Sequence, residues 1–453
     1  MSFKSINPFS NQLVNTYEEF SDAAILNAIE NTSKAKPIWK KTTLNHRIEI
    51  INEVANILRA NEEGFAKMIT LEMGKPIRES RSEIKKCEWL CRYYTENAVE
   101  FLSSELIETD ASKSFIQNDP LGCILGIMPW NFPFWQTFRF AIPALLTGNT
   151  VLLKHAPNVF GCATQIEELF LNADLPKGVF QNLIIHHNRV ENLIANDIIS
   201  AVTFTGSEKA GAIIGSLAGK YLKKSVLELG GSNAFIVCAD ANIDLAVSKA
   251  ITGRFLNGGQ SCIAAKRFIV SEEVYNEFTT KLVAQVKSLN TGNPFDESTD
   301  LGPLARIDLA QNLQEQIQKS VAMGAEIIYG GNQSRAYHEP TILVDVSNDM
   351  PVFKEETFGP VAVVIKVNSI EESLNLSEDS KYGLGVSIFT SNIEKAEEMA
   401  SEVSDGACFI NEFVKSDPRL PFGGTKKSGY GRELGKDGML EFVNRKTIYI
   451  DKV

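Results

Sequence analysis

Two rhythms of apolar residues divide the chain. Over residues 22–102 they recur at helical spacing. Ser21 stands where an N-cap belongs, ahead of Ala24, Ile25, Ala28 and Ile29. A second helix carries Ile48, Ile51, Val54, Ile57 and Leu58 and frays near Asn61. A third, over about 80–102, carries Ile84, Trp89, Leu90 and Val99. From residue 121 short apolar runs take over: CILGIMP, TVLLK, VFQNLII, AVTFTG and SVLELGG. Each ends in Gly, Pro or a polar turn, and helical segments separate them. That alternation predicts parallel strands with crossover helices, a doubly wound α/β lobe. After Gly231 the rhythm restarts with AFIVC, RFIV, PTILVDV, PVAVVIKV, GVSIFT and CFIN, and helices near 272–289, 307–323 and 393–402. A boundary near 230 follows. SFIQNDP, within 102–120, and KTIYIDKV, at the end, read as strands that leave the compact body.

At 453 residues the chain exceeds one ordinary core, in keeping with several lobes. A formal charge of -11 does not suit a nucleic-acid or anionic-membrane binder, although a local pocket can still be basic. The start, MSFKSINPFS, shows no apolar secretory region, and no run of about 18 apolar residues predicts a membrane span. The 7 cysteines are odd in number and scattered, which fits free thiols in a reducing cytoplasm. Cys87 and Cys91 lie four apart on a helix with few histidines near, so they read as packing rather than a zinc site, and no metal is expected.

Four segments carry candidate chemistry. Cys262 closes Asn257-Gly-Gly-Gln-Ser-Cys, where adjacent glycines let a small molecule approach the backbone. It is either a presented nucleophile, whose own N–H donates to an oxyanion, or a buried structural thiol in a tight turn. Glu228, between leucines on a strand ending in Gly230-Gly231, is either a desolvated general base or a carboxylate satisfied by amides. Asn131 sits between Pro129 and Pro133, a backbone held rigid on both sides of an amide donor, or an ordinary strand-to-helix turn. No GxGxxG is present. Instead Phe204-Thr205-Gly206-Ser207, with Gly211 five residues after Gly206, closes a strand where a pyrophosphate can meet a helix N-terminus. Lys154 could reach a ribose or phosphate, or be a solvated lysine.

Together PWNFP at 129–133, FTGS at 204–207, LELGG at 227–231, GQSC at 259–262, EETFGPV at 355–361 and PFGG at 421–424 resemble the aldehyde dehydrogenase superfamily, in its order and spacing. The resemblance runs from Asn7-Pro8 to the last strand. It implies a Rossmann-like dinucleotide-binding domain (1–101 and 121–230), a catalytic α/β domain (231–440) and an oligomerisation arm (102–120 and 441–453). It implies Cys262 as nucleophile, Glu228 as base, and Asn131 with the Cys262 amide as oxyanion donors. Lys154 matches the adenosine-ribose contact and Ser207 the residue near the pyrophosphate. Glu356 and Phe358 match the nicotinamide-ribose and nicotinamide contacts, and Trp130 lines the cofactor cleft. The implied chemistry is attack of the thiolate on an aldehyde, hydride loss to NAD or NADP, and hydrolysis of the thioester with water activated by Glu228. NAD-preferring relatives often place a carboxylate three residues after the lysine, where Pro157 stands here, so NADP is expected to be tolerated. Ser232 replaces a common Lys after LELGG, with no expected consequence.

Arg139 suggests the aldehyde. Asn131, Trp135 and Arg139 follow one another at i,i+4, so one helix face points them to one pocket. Succinate-semialdehyde dehydrogenases resemble the chain in this Arg and in SDPRLPFGG and LLKHAPN. A guanidinium in an apolar tunnel would hold a substrate carboxylate, and Ser416 or Arg419 would add a polar contact. Otherwise Arg139 is a surface residue paired with an acid. Arg267 is given no substrate role. The expectation is a short ω-carboxy aldehyde, succinate semialdehyde before glutarate semialdehyde, with a homodimer or homotetramer as the assembly. A broad enzyme for apolar aldehydes would carry an apolar residue at 139, and a non-enzymatic protein on the same scaffold would not need all of Cys262, Glu228 and Asn131.

Overall fold

The computed structural model describes residues 2–451. Two open sheets and a small third one organise it. In the first, the strands run in the order Gly429–Tyr430, Lys224–Glu228, Ile199–Thr205, Cys123–Met128, Thr150–His155, Phe180–Asn182, all parallel except the first. The chain starts in the middle at Cys123–Met128, winds outward one way, then crosses back to Ile199–Thr205. The switch point between these two neighbours opens a crevice at their C-terminal ends, where α/β sheets bind ligands. The Gly429–Tyr430 strand comes from a stretch the sequence had grouped with the second lobe.

The second sheet orders Glu326–Tyr329, Thr341–Val344, Val361–Val367, Ala265–Ser271, Asn233–Val237, Val386–Phe389 and Cys408–Ile410. Only its first pair is antiparallel. Lys113–Pro120 pairs over its whole length with Val443–Ile450, and with Glu105–Leu106, in a separate antiparallel sheet. An N-terminal hairpin, Ser2–Ile6 with Leu13–Glu18, was not foreseen. Its exposed, mostly polar strands carry no apolar alternation to read. The VFQNLII run yields only the short strand Phe180–Asn182.

Helices cover the first sheet. Ser21 caps Asp22–Lys41 by accepting the Ala24 N–H at 3.2 Å. Asn61 ends one helix and begins another, Glu62–Met73. In Ile77–Phe101, Ile84, Cys87, Leu90 and Cys91 are buried, while Trp89 and Val99, expected on the core face, are exposed. Arg419 covers Trp89 instead, 5.4 Å from its ring centroid.

The helix Pro133–Leu146 follows the Asn131 loop and is buried along its length. Its N-terminus is capped from outside. Glu83 Oε1 accepts the N–H groups of Phe134 (2.9 Å) and Trp135 (3.0 Å), and Glu83 Oε2 pairs with the buried Lys75 ammonium. A carboxylate is favourable at that end of the helix dipole, and Lys75 compensates its burial. Glu83→Ala therefore strips both the cap and the partner of a buried cation. Chemical denaturation is expected to show a loss of about 3–5 kcal/mol. Glu83→Gln keeps a carbonyl for the amides and should lose less.

Candidate active site

Cys262 belongs to a loop with unusual backbone. After the helix Ile243–Phe255, residues Asn257, Gly258 and Gly259 all take positive φ, at 57°, 60° and 72°. Three such residues in succession need outside support. The Asn257 N–H donates to Glu79 Oε2 at 2.8 Å, and Asn257 Nδ2 donates to the Asn131 carbonyl at 2.7 Å. Arg254, fully buried, donates to the carbonyls of Gly259, Ala265, Thr357 and Gly359. A Cβ on Gly259 would stand 2.3 Å from the Gly359 carbonyl oxygen, so no other residue fits there. Asn131 Nδ2 donates to the Gln260 carbonyl at 3.0 Å, which leaves its second N–H for another acceptor. The structure thus brings Asn131 and the Cys262 loop together.

Two cavities meet at Cys262 and Gln136, the residues common to both linings. The first occupies the switch-point crevice and is bounded by Trp130, Asn131, Thr205, Ser207, Glu356 and Phe358, among others. Ser207 caps the helix Glu208–Lys220, so that helix N-terminus faces the cavity. Thr205 Oγ1 is buried beside it without a hydrogen-bond partner. Trp130 and Phe358 meet edge to face at 5.8 Å. Glu356 Oε1 accepts the Gly231 N–H (3.0 Å) and the Lys266 ammonium (2.9 Å). An orphaned hydroxyl, an open helix N-terminus and an aromatic wall fit a dinucleotide.

Three residues expected here do not line that cavity. Lys154 is buried at the end of its strand, and desolvation alone brings its pKa down to about 8. No carboxylate contributes to that shift, and Pro157 begins a 3₁₀ turn. Phe204 lies within its strand, its ring filling the space beside Gly206. Gly211 is a correction: it lies inside the helix, where a Cβ would come 2.3 Å from Leu229 Cδ2. It lets helix and strand pack rather than seating a phosphate.

The second cavity, of about 180 Å³, lies on the other side of the thiol. Phe132, Trp135, Phe413, Val414 and Phe422 make it largely apolar, and Arg139, Lys86 and Ser416 make it polar at particular points. Arg139 borders it, as expected, but not as a free guanidinium. Its Nε lies 2.5 Å from Glu433 Oε2, with both side chains 2% exposed. It is also no surface residue; its guanidinium carbon stands 4.7 Å from the Phe422 ring centroid. Ser416 Oγ accepts from Lys86 Nζ at 2.8 Å. Arg419 is exposed and committed to Asp417 through two bonds of 2.9 and 2.7 Å, away from this cavity. Arg267 donates to three carbonyls, of Ser232, Leu376 and Ser377, and so holds backbone.

Burial governs the titrating groups. Although Cys262 touches both cavities, the protein encloses it enough to push its thiol up to about 11, with Arg139 pulling down and Glu356 pushing up. Neither Glu228 oxygen has a hydrogen-bond partner. Burial and the nearby Glu433 carboxylate hold Glu228 well above the usual carboxylate range, against Arg139 and Arg432. One guanidinium thus serves two buried carboxyls, and they cannot both ionise at low cost.

Sequence reasoning missed Lys86, Gln136, Arg254, Lys266 and Glu433. Glu79, Ser82, Glu83 and Lys86 share one face of their helix at i, i+3, i+4 and i+7, and all four line the second cavity. That polar face was visible in the sequence, though not what it faced. Arg254 and Glu433 act on partners far away in the chain, which spacing does not reveal.

A family model described as the aldehyde dehydrogenase family matches residues 1–448. A protein of Synechocystis named probable succinate-semialdehyde dehydrogenase (NADP+) is 45% identical, over 99% of this chain and 100% of its own. One of Escherichia coli, named succinate semialdehyde dehydrogenase (NAD(P)+), is 43% identical, over 99% and 98%. Among solved structures, a succinic semialdehyde dehydrogenase from Streptococcus pyogenes in complex with NADP+ superposes with a TM-score of 0.97 at 38% identity, covering 99% of this chain and 100% of that one. With its motifs converging on one thiol between two cavities, the chain belongs to the aldehyde dehydrogenase family.

Proposed function

We propose that the protein oxidises a short ω-carboxy aldehyde, succinate semialdehyde first, to the carboxylic acid with NADP or NAD. The observation that carries this reading is the meeting of two unlike cavities at Cys262. One has a helix N-terminus suited to phosphates, and the other has cations in an apolar chamber. At about 180 Å³ the second chamber falls below the ~300–1,000 Å³ of drug-sized sites, which favours a small aldehyde. The names of the full-length relatives agree with this substrate and with either coenzyme.

In this reading Cys262 loses its proton and attacks the aldehyde carbon. The oxyanion lies between the Cys262 N–H and the spare Asn131 N–H. The dinucleotide, when bound, supplies the hydride acceptor. Trp130, Phe358, Ser207 and the Glu356 carboxylate would hold it in the cavity they line, and the family resemblance would add Lys154. A thioester on Cys262 remains, and Glu228 takes a proton from the water that hydrolyses it. Glu228 needs to be ionised for this, and Arg139 is the cation beside it that favours the charged form. The thiol also needs to be drawn below its resting value, the direction in which the nearby Arg139 and Lys266 charges act.

The separate three-stranded sheet supports assembly as a homodimer or homotetramer. Leu106, Tyr449 and Ile450 are 73%, 52% and 47% exposed on an arm without its own core.

Initial rates with succinate semialdehyde are expected to exceed those with butyraldehyde in kcat/KM, and both NADP and NAD should serve. Equal values for the two aldehydes would remove the acid-aldehyde assignment, and strict dependence on NAD would contradict the reading of Pro157. Glu228→Gln should release about one equivalent of reduced coenzyme per site in a burst and then stall, because hydrolysis is the impaired step. Full steady turnover in that variant would exclude Glu228 as the base. Without coenzyme, alkylation of Cys262 by iodoacetamide should keep accelerating up to about pH 11, since its thiolate is the minor form below that. A plateau by pH 8 would show the resting thiol to be already activated.

A further inference from the structure

Among the described residues that bound the switch-point cavity, Arg306 is the only cation and Glu356 the only anion. The Glu356 charge is already met by the Lys266 ammonium at 2.9 Å. Arg306 reaches the cavity from the second lobe. It stands at the start of the helix Ile307–Ala322, which leads between strands of the second sheet, whereas Ser207 and its helix belong to the first.

The Arg306 guanidinium is oriented in advance. Its Nε and Nη2 donate to the two Asp308 oxygens at 2.9 and 2.8 Å, which occupies one edge of the fork. The other edge, both Nη1 hydrogens and the second on Nη2, has no partner among the described residues. The guanidinium carbon stands 5.9 Å from the Trp130 ring centroid, and Trp130 itself meets Phe358 edge to face. The backbone is fixed as well. The neighbouring Ala305 N–H donates to Gln260 Oε1 at 2.9 Å, within the turn that leads to Cys262.

We propose that Arg306 binds the pyrophosphate of the coenzyme, together with the N-terminus of the helix Glu208–Lys220. A pyrophosphate brings two negative charges, and a helix N-terminus offers only about half of one positive charge. The chain also lacks the GxGxxG turn that elsewhere brings backbone amides up to a pyrophosphate. A full charge with a free fork edge supplies what is missing, because two N–H groups can meet two phosphate oxygens. Asp308 keeps the guanidinium plane in place, and as a first-turn residue its own carboxylate is favoured by the helix Ile307–Ala322. The assignment rests on the reading of this cavity as the dinucleotide site. It also gives the second lobe a hold on the coenzyme through a segment tied to the Cys262 turn.

The test is calorimetric binding of three ligands to the wild type, Arg306→Gln and Arg306→Lys. They are NADP, 2′-phospho-ADP-ribose, which keeps the pyrophosphate and lacks nicotinamide, and adenosine 2′-monophosphate, which lacks the pyrophosphate. Arg306→Gln is expected to weaken the first two alike, by about 10- to 100-fold, and to leave the third unchanged. Arg306→Lys should recover part of the loss, having the charge without the fork. The wild-type Kd for 2′-phospho-ADP-ribose should also rise more steeply with salt than that of Arg306→Gln. A wild type that binds neither NADP nor 2′-phospho-ADP-ribose would overturn the dinucleotide reading itself. Unchanged affinities in Arg306→Gln, a loss confined to NADP, or an equal loss for all three ligands would overturn only the pyrophosphate assignment. Should Arg306→Gln fail to fold, phenylglyoxal labelling of the wild type decides. The Arg306 side chain is 41% exposed, so it should react, and 2′-phospho-ADP-ribose should shield it, as read by peptide mass. Labelling of Arg306 that the ligand does not slow would overturn the assignment in the same way.

Discussion

Three consecutive left-handed residues, Asn257 to Gly259, are the constraint on which the site depends. Such a turn does not hold itself, so three separate segments grip it. Glu79 comes from a helix of the first lobe, Asn131 from the loop after its central strand, and Arg254 from the helix just before the turn. Arg254 also holds the Gly359 carbonyl, just before the strand Val361–Val367 of the second sheet. Each grip is a buried polar contact, costly to leave unmade. The position of Cys262 is therefore a property of the junction between the two sheets rather than of either alone. Arg254 shows the cost of this arrangement, since burial lowers its pKa to about 9.

The second organising feature is scarcity of positive charge at the reacting end. Glu228, Glu433 and the thiol all sit near Arg139, and burial opposes the charged form of each. Burial there works against the anionic form of each group. A thiol held protonated by burial is protected from stray electrophiles and oxidants, whose targets are thiolates. Lys266 contributes on the far side, donating to the Gly231 and Cys262 carbonyls and to Glu356, and so ties strand ends of both sheets together.

Much of this was legible in the chain. The α/β rhythm after residue 121, the Ser21 cap and the strand character of SFIQNDP and KTIYIDKV follow from local pattern alone, whereas their pairing does not. Cys262, Asn131 and Ser207 could be found because rare local geometry needs rare residues: paired glycines, paired prolines and a capping hydroxyl. Other features were less open to reading. Trp89 and Val99 look like core residues by type, yet Arg419 covers one and solvent the other. Gly211 was read as a phosphate glycine because spacing cannot tell close packing against Leu229 from close approach of a ligand. Arg139 was correctly placed beside the chamber, but its Glu433 partner lies 294 positions along the chain. Periodicity shows which way a side chain points and is silent about what already waits there.

The two chambers share only Cys262 and Gln136. Apart from the stretch 129–139 and the Cys262 loop, which line both, the two linings are contributed by different elements. Lineages descended from such an ancestor can exchange one preference at residues outside that shared stretch while inheriting the other intact. A fold divided in this way behaves as a socket with two independently cut keyways, and diversification in metabolism needs only one of them recut at a time.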